Sequence, residues 1–159
     1  MMEFFELTFY CKKDRCKGGT ISIINACIKK YDFFEKEVVS EVEVFNDDEK
    51  DYTELQVSIF DLVLSKDNFD NVFKELSKLV GAVFEKVPDI PFATGIYELT
   101  YYLIKHKKSL REFDSSFLKN FPIVFLRPET DNVDGQILFQ SERALCIFNE
   151  GAQALGHES

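Results

Sequence analysis

The chain has 159 residues, of which 45% are hydrophobic and 30% are charged, and its net charge at neutral pH is −9. This apolar content excludes a disordered chain, and the length allows one domain with its own core. The negative charge argues against nucleic acid and anionic membranes as partners, because both attract cationic proteins.

Two features of the sequence bear on the location of the protein. No run of apolar residues reaches the roughly 20 that span a bilayer. The first residues, M-M-E-F-F-E, lack the basic region and apolar core of a signal peptide. We therefore expect a cytoplasmic protein without a membrane partner.

The cysteines and histidines do not match a known site. C-K-K-D-R-C is half of a zinc site at most, because no C-x-x-C pair follows and the histidines are His106 and His157. A chain of this length also needs no disulfide framework. We expect free thiols, no metal and no other cofactor.

The first predicted element is a strand over residues 3–11, where apolar side chains alternate. A basic loop, residues 12–17, follows it. Thr20 can cap a helix over residues 21–33, although T-I-S-I-I also suits a strand. The helix is favoured by an apolar stripe of Ile21, Ile24, Ile28 and Tyr31.

Residues 37–64 are predicted to form an antiparallel hairpin. Two alternating, β-branched runs flank the polar turn N-D-D-E-K-D. A period of two places these side chains on the core face: Val38, Ser40, Val42, Val44, Leu55, Val57 and Ile59. The same period places Val39 with the carboxylates on the solvent face.

Most of the negative charge of the chain lies in this hairpin and just after it. Residues 36–70 contain 11 acidic and three basic residues, a net charge of −8. Like charges on neighbouring strands cost stability, although edge strands also carry charges that prevent aggregation. We predict that a basic partner binds here, at Glu41, Glu43, Asp47, Asp48, Glu49, Asp51 and Glu54.

The clearest helix in the sequence covers residues 69–87, with a cap at Ser65 or Asp67 and apolar residues spaced by three and four. Phe73 and Leu76 lie on its predicted core face. Gly81 is expected to let a neighbouring element approach closely.

The second half of the chain is predicted to be a mixture of short elements. Residues 92–104 suit either a strand or a helix, and their β-branched and aromatic content favours the strand. Ser109 can cap a short helix to residue 120, and a strand I-V-F-L follows Pro122. Q-I-L-F-Q and A-L-C-I-F-N are a hairpin or a strand and a helix, and residues 150–159 are expected to be a frayed tail.

The order of these elements predicts a single α+β domain over residues 1–159. Its sheet is antiparallel or mixed, and its helices pack mainly on one face.

No catalytic motif occurs in the chain, so a non-enzyme is the favoured interpretation. One alternative is a small carboxylate-dependent enzyme using acids such as Asp61 and Glu98. Asp61 falls on the apolar face of a strand, where it is either a buried acid or is turned to solvent by a bulge. The other alternative is a nucleic-acid-binding module that uses the basic loop 12–17 with stacking aromatic rings.

In its small size, acidic balance, predicted α+β fold and lack of catalytic motifs, the chain resembles the bacterial immunity proteins, which neutralise toxic nucleases of competing cells. This is a resemblance of class, so it transfers no fold and no residue. It implies a tight one-to-one complex with a basic toxin domain, in which carboxylates cover the cationic site that binds phosphate.

Overall fold

A computed structural model describes residues 5–32, 39–60, 62, 64–97, 107–130 and 134–149 of the chain. Within these residues, seven strands form one antiparallel sheet in the order β2-β3-β1-β4-β5-β7-β6. The strands are β1 (Phe5–Lys12), β2 (Glu43–Asn46), β3 (Tyr52–Ile59), β4 (Phe92–Tyr97), β5 (Ile123–Leu126), β6 (Gln136–Gln140) and β7 (Leu145–Phe148). The helices are α1 (Gly18–Lys30), α2 (Phe69–Lys86) and the one-turn α3 (Ser115–Leu118). The predicted α+β class, with an antiparallel sheet, is confirmed.

The first face of the sheet packs against α1 and α2. Its core includes Phe5, Leu7 and Phe9 of β1, on the face that the alternation predicts. Phe73 and Leu76 of α2 are fully buried, so the predicted core face of this helix is also confirmed. The Phe73 ring makes edge contacts with Phe5 and Phe69, with centroids 5.7 Å and 4.8 Å apart.

The second face of the sheet carries a separate core that the sequence analysis did not anticipate. Its centre is Tyr10, whose ring lies 4.9 Å from Phe92 and 5.1 Å from Phe113, centroid to centroid. The Tyr10 hydroxyl hydrogen-bonds Thr94 Oγ1 at 2.9 Å, so this buried polar group is satisfied. Residues 107–121 cover this core, and Phe121 is only 1% exposed.

The predicted hairpin is confirmed, but its first strand is shorter and contains a bulge. Val39 pairs with Ile59, whereas Glu43 pairs with Gln56. Four steps along the first strand therefore oppose three steps along β3, which places one extra residue before β2. The extra residue reverses the alternation, so that Val39 packs against the core instead of facing solvent with the carboxylates as predicted.

The ambiguous run after the basic loop is a helix, and it begins earlier than predicted. Thr20 is not its cap but a buried residue in its first turn, since α1 begins at Gly18. The helix ends at Lys30, where the Tyr31 amide bonds the carbonyls of Cys27 and Ile28.

Two arginines distant in sequence from α2, Arg143 and Arg127, pack against this helix. Gly81 of α2 lies against the β6–β7 turn, and a Cβ on Gly81 would come within 2.8 Å of Arg143 Cβ. The close approach predicted for this glycine is confirmed. At the end of the helix, the Arg127 guanidinium donates to the carbonyls of Phe84, Val87 and Ile90 at 2.9–3.1 Å. It also lies 4.8 Å from the centre of the Phe84 ring.

The remaining short elements largely follow the sequence. β5 lies where it was predicted, and the last two apolar runs form the β6–β7 hairpin, which is one of the two predicted alternatives. The helix expected over residues 109–120 is a 3-10 turn followed by α3, whose first turn is capped by Asp114. Asn68 occupies the N-cap position of α2, where Ser65 or Asp67 was predicted, and its side chain makes no capping hydrogen bond there. The strand predicted over residues 92–104 is confirmed for Phe92–Tyr97. Residues 98–106 and the tail 150–159 lie outside the described residues.

No helix within the described residues is long and apolar enough to cross a membrane.

Replacing Phe73 by alanine should lower the free energy of unfolding by about 3–5 kcal/mol, because it leaves a cavity between α2 and β1. Denaturant melts measure this loss. Phe45→Ala on β2 is the control, since that ring is 45% exposed, and it should cost less than about 1 kcal/mol. A similar loss in both variants would contradict the assignment of the core.

Gly81→Ala should destabilise the protein although alanine is the better helix former. The added methyl group collides with Arg143 Cβ, and overpacking costs about 1–3 kcal/mol against a gain in helix propensity of about 1 kcal/mol. Gly19→Ala in α1 is the matched control, because no atom lies within 4 Å of a Cβ there. Thermal melts should show Gly81→Ala less stable and Gly19→Ala as stable as the wild type or more so.

Candidate partner-binding surface

Six of the seven predicted partner-binding residues are exposed, and five of these six lie along one edge of the sheet. We call this set the acidic edge: Glu41, Glu43, Asp47, Asp48 and Glu49. Glu41 lies just before β2, Glu43 is the first residue of β2, and the other three lie in the β2–β3 turn. The remaining two predicted residues, Asp51 and Glu54, differ from these in environment.

Asp51 is held by hydrogen bonds within the chain. Its Oδ2 accepts a hydrogen bond from Ser109 Oγ at 2.7 Å, and its Oδ1 accepts one from the Leu110 amide at 2.8 Å. Its own amide donates to the Lys108 carbonyl at 2.9 Å. Burial acts in the opposite sense, but these side-chain bonds and the charges of nearby cations hold the pKa of Asp51 below its usual value. The carboxylate therefore anchors the segment that covers the second core.

Glu54 was predicted to face solvent but is half-buried on β3. It belongs to a group of carboxylates on the second face, where Gln56 Nε2 donates to Glu6 Oε2 at 3.1 Å and Glu43 pairs with Gln56 across the strands. Burial, followed by the negative charges of Glu54 and Glu43, raises the pKa of Glu6. These carboxylates repel one another, and a cation placed beside them would relieve that repulsion.

The turn of the acidic edge is ordered by Asp47. Its Oδ1 accepts a hydrogen bond from the Glu49 amide at 3.0 Å, and its carbonyl accepts one from the Lys50 amide at 3.0 Å. Lys13 Nζ also donates to the Asp47 carbonyl. Asp48 and Glu49 lie in the same turn, and their carboxylates form no hydrogen bond or ion pair with another described residue.

The acidic edge also exposes apolar side chains, which the sequence analysis missed. Val44 is 41% exposed and Phe45 is 45% exposed, and both lie on β2. A signal for Phe45 was present, since a period of two places it on the same face as Glu43. Large apolar groups beside charges are a feature of interaction sites.

The basic loop lies beside acidic residues. Arg15 Nη1 is 3.9 Å from Asp89 Oδ1, and the Lys13 amide donates to the Asp51 carbonyl at 3.0 Å. Lys13 Nζ is also bound, at the acidic turn. Because two cations of the basic loop already contact groups of the chain, the structure favours the nucleic-acid alternative less than the sequence did.

A cavity of about 860 Å³ opens on the second face, with a floor that includes Phe92 and Ile147. Its size suits a small molecule, and four aspartates line it. Three of them already have partners: Asp114 Oδ1 accepts from the Phe117 amide at 2.8 Å, Asp89 faces Arg15, and Asp134 is 3.0 Å from Lys119 Nζ. Asp61 and Glu98, on which the enzyme alternative was based, lie outside the described residues.

All four cysteines are free thiols. Burial raises the pKa of Cys11 to about 11 and that of Cys146 to about 12, so both are protonated at neutral pH. Within the described ranges, no three His, Cys, Asp or Glu side chains converge as a metal site. The lack of a metal or other cofactor stays a prediction.

Comparison of the chain with protein-family models, curated proteins and solved structures found no match.

Asp51→Ala should lower the free energy of unfolding by about 1 kcal/mol at pH 7, because the Ser109 hydroxyl and the Leu110 amide lose their acceptor. The folded pKa of Asp51 is lowered, so this stabilisation is complete above its ordinary value of 3.8 and is lost as the pH falls through the folded value. Denaturant melts from pH 7 to roughly pH 3 should show the deficit shrinking only below about pH 4.

Asp48→Ala is the matched control for this experiment, since Asp48 lies in the same turn and is also exposed, but its carboxylate does not hold Ser109 or Leu110. Its stability should stay within about 0.5 kcal/mol of the wild type. Equal losses in the two variants would show that Asp51 does not anchor residues 107–112.

Proposed function

We propose that this chain is a binding protein that captures a basic protein partner at its acidic edge. The observation that carries the proposal is the combination of exposed carboxylates and exposed apolar side chains on the terminal strand of the sheet, at Glu43, Val44 and Phe45. A solvated edge would need the charges alone, whereas an interface uses apolar contacts at its centre and charges around them.

The electrostatics of the edge support a basic partner. The negative charges of Glu54 and Glu43 act against the carboxylate of Glu6, and a lysine or arginine from a partner would offset this repulsion. The net charge of −9 extends this attraction over distance and would accelerate association, most strongly at low salt.

The partner class that fits these features best is a nuclease-type toxin domain, with the chain acting as its immunity protein. A nuclease binds phosphate through a cationic site, and an acidic surface is the natural complement to such a site. The proposed inhibitor would occupy that site and exclude the nucleic acid, in a one-to-one complex. The cytoplasmic location belongs to the same proposal, since the inhibitor must be present where the nuclease acts.

A fourfold charge reversal tests this function. Glu41, Glu43, Asp48 and Glu49 are exposed, so replacing all four by lysine should leave the fold intact, as judged by circular dichroism and thermal melting. Binding partners are sought by co-expression with the products of adjacent genes, and rates are measured by surface plasmon resonance. We expect association at low salt to slow by about tenfold or more and its salt dependence to flatten.

The matched control reverses four exposed acids outside the acidic edge: Asp67, Asp70, Glu129 and Glu142. Four reversals add eight charges to −9, so both variants carry a net charge of −1. Comparing the two variants shows whether the association rate depends on where the negative charge lies or only on the net charge. If both variants associate at the wild-type rate, or if both slow equally, the acidic edge is not the interface.

A further inference from the structure

Within the part of the chain that the structure describes, β2 is the terminal strand of the sheet, with a hydrogen-bonded neighbour, β3, on one side only. A strand in this position directs the N–H and C=O groups of alternate residues away from the sheet, where another strand can pair with them. β2 has four residues, all exposed.

The two faces of β2 differ in chemistry. Val44 pairs with Leu55 and lies on the first face, beside the apolar core. Glu43 and Phe45 pair with Gln56 and Glu54 and lie on the second face, beside the carboxylates. A strand added to this edge would therefore meet an apolar side chain on one face, and a carboxylate and an aromatic ring on the other.

We propose that the basic partner binds by adding a strand to β2, with lysines or arginines on the face of Glu43 and Phe45 and apolar residues on the face of Val44. This inference rests on the proposed function and specifies its geometry. Backbone hydrogen bonds supply affinity in this mode of recognition, and alternate side chains supply specificity. A cation on the second face gains a carboxylate at Glu43 and the face of the Phe45 ring.

The opposite edge of the sheet does not offer the same combination. β6 exposes Ile137 by 54%, but its sequence, Q-I-L-F-Q, has no charge to attract a basic strand. Its register is also interrupted between Ile137 and Phe139, whereas β2 pairs without interruption over its whole length. β6 therefore serves as an internal control.

The test uses a peptide probe, the N-acetylated and C-amidated sequence KVKVKVK, which alternates a cation with an apolar residue. Affinity is measured by isothermal titration calorimetry at low salt. Amide hydrogen exchange followed by NMR should show slower exchange within Glu43–Asn46 and no change within Gln136–Gln140. Phe45→Ser should weaken binding by several-fold, whereas Ile137→Ser on β6 should leave it unchanged.

Two methylated peptides separate strand pairing from simple charge attraction. One peptide is methylated on the backbone nitrogen of every lysine, and the other on the backbone nitrogen of every valine. Each peptide therefore loses the backbone N–H donors of one edge, while both keep the charges of their lysine side chains. Strand addition predicts that one methylated peptide binds about tenfold more weakly than the other, as expected for the loss of one or two net hydrogen bonds.

The possible outcomes distinguish the two proposals. Equal binding of the methylated peptides, with weaker binding to the fourfold acidic-edge variant, overturns strand addition and leaves the proposed function standing. Equal binding of the parent peptide to that variant and to the wild type overturns both proposals. Failure of the parent peptide to bind at low salt overturns strand addition.

Discussion

The burial of β1 on both of its faces is the constraint on which the rest of the structure depends. Phe5, Leu7 and Phe9 pack into the core under the helices, and Tyr10 packs into the aromatic core on the opposite face. The strand also pairs with β3 along its whole length and with β4 from Phe5 to Phe9. The two cores therefore lie on opposite faces of the same strand, and a change that displaces it would disturb both at once.

Elements that depend on local periodicity were predictable from the sequence. The faces of α2 and β3 predicted for the core are buried, although Tyr52 and Ser58 on the other face of β3 are buried as well. Thr20, predicted as a cap, lies in the first turn of α1 because the helix begins at Gly18. The role of Asp51 was missed for another reason, because it anchors Ser109, a residue 58 positions away. No local pattern of a single sequence contains such a pairing.

The candidate surface was likewise predictable only in part. Counting acidic residues along the sequence located their cluster, but such a count does not distinguish the exposed Glu43 from the half-buried Glu54. The second face was predicted to be solvated because β3 alternates with polar residues. The sheet extends beyond that hairpin, however, and the strands further along bring Phe92 and Val124 to the same face. The face is therefore polar at one edge and apolar at its centre.

The bulge before β2 has a consequence for how sequences of this kind can diverge. Since the four steps from Val39 to Glu43 oppose three steps along β3, deleting one residue between them would remove the bulge and leave both pairings, and therefore the two faces of β2, unchanged. Val39 would stay on the face of the helical layer, and Glu43 and Phe45 would stay on the face of the carboxylates. Related sequences could therefore lose a residue in this short stretch and keep the specificity of the edge, which substitutions within β2 would alter.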